Sequence, residues 1–157
     1  MTNRIVAAVD SSPASRAALE WAFGEAERTG DDLLAVHVVE HTRRWDPSRS
    51  RDDGISAAAE TTQRRVQTAL PGASDAESPV RVIISAHGGS LVGTLARASR
   101  EAVMVVVGEP QSAAHAALPE KLAAESWCDV VAVSANNDVR HVSVTTDQSR
   151  SSDRPAS

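Results

Sequence analysis

Five short runs of nearly unbroken apolar residues punctuate the chain: Ile5 to Val9, Leu33 to Val39, Val80 to Ile84, Val103 to Val107 and Val130 to Val133. Each is rich in β-branched residues and four to seven residues long. Strands read this way when helices cover both faces of a parallel sheet, because neither face needs polar residues. Helical patterns lie between them. Ser12 stands as an N-cap before Pro13, and Ala14, Ala18, Trp21, Ala22 and Glu25 follow at helical spacing until Gly30, which is placed to end the helix in a left-handed turn. Ile55, Ala59, Thr62, Val66 and Leu70 form one stripe over about Gly54 to Leu70, stopped by Pro71-Gly72. Ser90 caps a third helix with Leu91, Leu95 and Ala98 inward, and a shorter fourth begins near Pro119 and carries Leu122. The alternation predicts a right-handed, doubly wound α/β sandwich.

Two segments break the pattern. Arg43 to Asp53 is dense in charge and reads as a solvated loop. The end of the chain is rich in Ser, Asp and Arg, with a weak alternation of Val139, Val142 and Val144 that is compatible with a short extra strand. The reading is one domain over 1–135 and a polar tail without fixed structure over 136–157.

Composition narrows the function. A net charge of −5 argues against nonspecific binding to nucleic acid or anionic membranes. One cysteine, Cys128, excludes an internal disulfide and fits a reducing compartment. No run reaches membrane-spanning length and no signal-peptide pattern opens the chain, so the expected location is the cytosol.

The candidate chemistry is mostly a matter of what is missing. In a parallel α/β protein, the turn after the strand Val103 to Val107 is where a glycine-rich loop would cradle phosphates with backbone N–H groups. Here Gly108 is followed by Glu109-Pro110-Gln111-Ser112. Proline has no N–H to offer, and a carboxylate repels polyphosphate. Asp10, at the end of the first strand, sits where open α/β sheets form crevices. It serves either as a ligand contact or as the acceptor that shapes its own turn through Ser12. His87-Gly88-Gly89-Ser90 is either an anion nest or a plain strand-to-helix turn with a serine cap. His37 and His41 lie on a strand and its exit, a poor geometry for joint metal ligation, and no metal site is expected. Cys128 reads as a buried, inert thiol. Arg43, Arg44, Arg49 and Arg51 alternate with Asp46, Asp52 and Asp53 and read as a solvated cluster. The elbow G-x-S-x-G, the dinucleotide fingerprint, the Walker pattern and a receiver-type acidic pair are all absent from the sequence.

Taken together, these runs resemble the universal stress protein family. Arg4-Ile5-Val6-Ala7-Ala8-Val9-Asp10-Ser11-Ser12-Pro13 is similar to its first strand and Asp-x-Ser turn, Ala17-Ala18-Leu19-Glu20-Trp21-Ala22 to the following helix, and Val103 to Gly108 to its fourth strand. Cys128-Asp129-Val130-Val131-Ala132-Val133 looks like its last strand, with Asp129 in place of the usual Pro. The resemblance implies a five-stranded parallel sheet of order 3-2-1-4-5 and a homodimer. It also implies that Asp10 would contact a nucleoside, that the strand end at Val38 and Val39 would pack on adenine, and that Gly108 would open a phosphate loop of pattern G-x2-G-x9-G-[ST]. The second glycine position is Gln111, the closing pair falls on Ala116-Ala117, and the segment is about five residues short. Losing two or three phosphate contacts of about 1.5–3 kcal/mol each would weaken ATP binding by roughly two to five orders of magnitude.

The expected protein is therefore non-catalytic and cofactor-free, and acts through protein contacts without family-type ATP binding. The alternative keeps the adenosine half of the site and takes AMP, cyclic AMP or a nucleoside. The last strand, with Val130, Val131 and Val133 and the neighbouring Trp127, is the expected two-fold interface, because an apolar sheet edge invites pairing.

Overall fold

The computed structural model describes residues 3–40, 51–73, 77–112 and 116–142, with backbone alone for 51–53. The strands are β1 (Arg4–Ala8), β2 (Asp32–Val39), β3 (Val82–Gly88), β4 (Met104–Gly108), β5 (Asp129–Val133) and β6 (Val139–Val142). The helices are α1 (Pro13–Thr29), α2 (Arg51–Ala69), α3 (Leu91–Ala98) and α4 (Leu118–Glu125), with a 3₁₀ turn at Ser99–Glu101. One sheet holds all six strands in the order β3-β2-β1-β4-β5-β6. The first five are parallel, as the crossover helices require, and β6 is antiparallel to β5.

The period-two alternation of the strands divides the core into two layers. Ile5, Ala7, Leu33, Ala35, Val106, Val131 and Val133 turn to one face and pack with Ala18, Leu19 and Ala22 of α1 and Val66 of α2. Val6, Val36, Val105, Val107, Val130 and Ala132 turn to the other and pack with Leu95 of α3 and Leu122 of α4. Among the described residues, no helix is long and apolar enough to cross a membrane.

Helix α1 begins and ends as its sequence dictates. Ser12 Oγ accepts the Ser15 N–H at 3.1 Å, Pro13 opens the helix, and Gly30 closes it with φ of 78°. Its buried face is alanine-rich, with Ala14, Ala17, Ala18, Ala22 and Ala26. That face lets the helix lie very close to the sheet. A Cβ built on Gly108 would stand 2.6 Å from Ser15 N and 2.7 Å from the Ala14 carbonyl carbon.

Three expectations are corrected. The last parallel strand does not form the sheet edge, because β6 pairs along it from Val130↔Val142 to Val133↔Val139. A turn makes this possible: Ser134 Oγ accepts the N–H groups of Asn136 and Asp138, and Asn137 takes φ of 67°. The part of the expected polar tail up to Val142 is therefore ordered, while 143–157, including Val144, lies outside the described residues. Strand β3 starts later and runs further than Val80 to Ile84, since Ser85, Ala86 and His87 continue the pairing with β2. Finally, α2 takes in Arg51 to Asp53, assigned above to the charged segment; the rest of that segment, with His41, Arg43, Arg44, Asp46 and Arg49, lies outside the described residues.

The approach at Gly108 has a direct test. Gly108→Ala forces helix α1 off the end of β4 and costs about 1–3 kcal/mol, as overpacking of a filled site does. Calorimetry should find the melting temperature lowered by several degrees; an unchanged value would contradict this packing.

Candidate functional site

A cleft of about 550 Å³ opens where the carboxyl ends of β1, β2 and β4 converge. This is the switch point of the sheet, where the helices following β1 and β4 leave on opposite faces. Asp10, Val38, Val39 and Gly108, the four residues singled out from sequence, all line it.

The Asp10 turn is rigidly built. Asp10 Oδ1 accepts the Ser12 N–H at 2.7 Å, so the shaping role holds. The Asp10 N–H donates to Ser15 Oγ at 2.8 Å, and that hydroxyl donates to the Ala8 carbonyl at 3.2 Å. Ser15 is buried, and it ties the end of β1 to the first turn of α1. The second carboxylate oxygen of Asp10 has no partner among the described residues, which leaves an acceptor at the cleft.

Val36, Val38, Val39 and Leu91 give the cleft an apolar flank. His37 also lines it, with Nδ1 at 2.7 Å from the Val9 carbonyl. A carbonyl can only accept, so Nδ1 is the donor in this contact. Sequence reasoning weighed His37 only as a metal ligand and missed this. The usable signal was its place beside Val38 at the end of β2.

The end of the cleft beside Gly108 has the opposite character. The Glu109 N–H is spent on the Val133 carbonyl at 2.8 Å, and Pro110 has none. Among the described residues, Asp10, Glu40 and Glu109 line the cleft, and no Lys or Arg does. Arg140 of β6 holds Glu109 in place with contacts of 2.6 and 3.2 Å and reaches Glu120 of α4 at 2.8 Å. The hydrogen bond from Arg140 holds the Glu120 carboxyl below the usual range, and the two glutamates raise the guanidinium in turn. Arg140 was not foreseen, because contacts across 31 and 20 positions leave no local trace.

The remaining candidates stay apart from the cleft. The His87-Gly88-Gly89-Ser90 segment is a strand-to-helix turn: Gly89 has φ of 129° and donates its N–H to the Val39 carbonyl, and Ser90 Oγ caps α3 by accepting the Gly93 N–H. The exposed His87 of strand β3 places Nε2 3.1 Å from Ser85 Oγ, with no carboxylate on the imidazole among the described residues. No group of three or more potential metal ligands occurs among the described residues. Of the expected interface residues, Val130, Val131 and Val133 are buried inside the subunit. Trp127 is 71% exposed before β5, at the opposite end of the sheet from the cleft, with the Arg100 guanidinium 5.1 Å from its ring.

Comparison with known proteins agrees with this architecture. The sequence model of the universal stress protein family matches residues 1–134. No curated protein matches the chain significantly. Among solved structures, the chain is similar to the universal stress protein UspA from Lactobacillus plantarum, at 19% identity and a TM-score of 0.64, covering 83% of this chain and 96% of that one. It is similar to a universal stress protein in complex with cAMP, at 20% identity and a TM-score of 0.60, covering 83% and 96%. It is also similar to a family member from Arabidopsis thaliana with AMP bound, at 13% identity and a TM-score of 0.55, covering 87% and 99%.

Cys128 is half-buried rather than fully enclosed. Burial, aided by the Asp129 carboxylate, pushes its thiol up to about 11. The reactive species is the thiolate, so at pH 8 the folded protein should react with Ellman's reagent on the order of a hundredfold more slowly than the urea-unfolded chain, whose cysteine titrates near about 8.5. Equal rates in the two states would refute the assignment of an inert thiol.

Proposed function

The chain belongs to the universal stress protein family, and from that premise we propose that it is a non-catalytic binding protein whose cleft takes an adenine nucleoside or its monophosphate in preference to ATP. One observation carries this reading: among the described residues, three carboxylates and no cationic side chain line the cleft. A base and ribose need an apolar slot and a hydroxyl acceptor, and Val36, Val38, Val39 and Asp10 supply them. A triphosphate needs N–H groups and positive charge, and the turn after Gly108 offers a carboxylate and a proline instead. The similar structures with cAMP and with AMP carry a single phosphate each, and they support the order of preference. A cytosolic setting fits the lone cysteine.

Isothermal titration calorimetry tests the reading. Adenosine and AMP should bind, with ATP at least about tenfold weaker, or ~1.4 kcal/mol. Asp10→Asn keeps an oxygen for the Ser12 N–H but loses the charge, so it should weaken adenosine about tenfold while the protein stays folded. Micromolar ATP binding that Asp10→Asn abolishes would overturn the proposal.

A homodimer through the last-strand edge is the second reading, and the position of β6 favours it in altered form. The terminal strand on that side is β6, with Val139 40% exposed, so pairing across a two-fold axis would join two β6 edges. Sedimentation velocity at high micromolar concentration should give a dimer, and His141→Pro, which removes an edge N–H, should shift it towards monomer. A strict monomer for the unmodified protein would eliminate this interface.

A further inference from the structure

A second hollow, of about 480 Å³, lies behind the Asp10 turn, between the first turns of α1 and the last turns of α2. Val9, Asp10 and Ser12 line both hollows, so the turn is the wall between them. The lining of this one is different. Val9, Leu19 and Ala69 supply apolar surface, and Arg16, Arg64 and Arg65 supply positive charge.

The state of those arginines matters. Arg16 meets Glu20 at 3.2 Å one helical turn along. Arg64 and Arg65 meet no carboxylate among the described residues, and Arg64 reaches only Thr61 Oγ1, at 3.4 Å. The neighbouring hydroxyls cannot replace them as donors. Thr61 and Thr68 spend their protons on the Ala57 and Arg64 carbonyls, at 3.0 and 2.9 Å, and keep only lone pairs. Asp10 alone among the lining residues is acidic, and one of its oxygens is taken by the Ser12 N–H. The hollow therefore combines an apolar lining with two arginines that have no carboxylate partner among the described residues.

We infer that this second cleft binds an amphiphilic organic anion, its apolar body against Val9, Leu19 and Ala69 and its carboxylate, sulfonate or phosphate head against Arg64 and Arg65. The inference does not depend on what the first cleft holds. Arginine suits the task because its fork pairs with two oxygens of such a head group and its stem covers apolar surface.

The test uses the full chain and 8-anilinonaphthalene-1-sulfonate, an aromatic sulfonate whose fluorescence rises on leaving water. Binding should saturate at one molecule per chain. Arg64→Ala/Arg65→Ala, two partly or fully exposed positions, should weaken it by about tenfold or more without lowering the melting temperature. Decanoate should displace the dye, and decanol, which lacks the charge, should not. Amide chemical shifts should move at Ser11 to Arg16 and Thr61 to Ala69. Unsaturable binding, an unchanged affinity in the double variant, equal displacement by decanol, or shifts centred on Val38 and Leu91 would each overturn the proposal.

Discussion

The approach of helix α1 to the end of strand β4 is the constraint on which the site depends. At Gly108 there is no room for a Cβ, because the backbone of Ala14 and Ser15 occupies the space. The same first turn is fixed to β1 through the buried Ser15 hydroxyl, which joins the Ala8 carbonyl to the Asp10 N–H. The ends of β1 and β4 and the start of α1 are thereby one packed unit, and the cleft is the hollow it leaves. It follows that glycine at 108 is required by packing whatever the ligand is. Its presence says nothing about a phosphate loop, although it occupies the first position of one.

The discriminating information begins at the next residue. Glu109 lines the cleft and is held by Arg140, which also holds Glu120. All three side chains are 32–47% exposed, so the bridge contributes little stability, on the order of 0–1 kcal/mol. Its effect is positional: a carboxylate is kept at the end of β4, on the wall of the cleft. The Glu120 carboxyl sits below its ordinary value because Arg140 donates to it. A group depressed on folding stabilises the fold above its unfolded value, and that contribution fades as pH falls through the folded value. The bridge is therefore intact at neutral pH and loosens only in acid.

The parallel core and the first helix could be read from sequence because each is a local pattern: unbroken β-branched runs, a Ser-Pro start and a glycine stop. Asp10 and Gly108 were legible because strand ends converge in any doubly wound sheet, whereas Val38 and Val39 came from the family resemblance. Strand β6 was not. Only Val142 of its four residues is buried, and the Ser134-to-Asp138 turn that folds it back has a polar signature shared with any tail. Setting that strand aside also misplaced the sheet edge, because Val130, Val131 and Val133 belong to an edge only if nothing pairs beyond them. Arg140 was illegible for a related reason. Its contacts with Glu109 and Glu120 exist only because β6 returns along β5.

The wall between the two hollows shows how they would influence one another. The polar contacts of the Asp10-to-Ser15 turn close on the turn itself and on the Ala8 carbonyl of β1, and a turn held this way offers no second arrangement through which to relay a change of shape. Charge is the remaining route. Asp10 lines both hollows, so an anion held by Arg64 and Arg65 acts on the same carboxylate that would accept a ribose hydroxyl. Like charges across one turn disfavour each other, and Asp10 is exposed enough for salt to screen the effect over roughly 8 Å at physiological ionic strength. The coupling that this geometry supports is thus weak, antagonistic and salt-dependent, and it needs no movement of the fold.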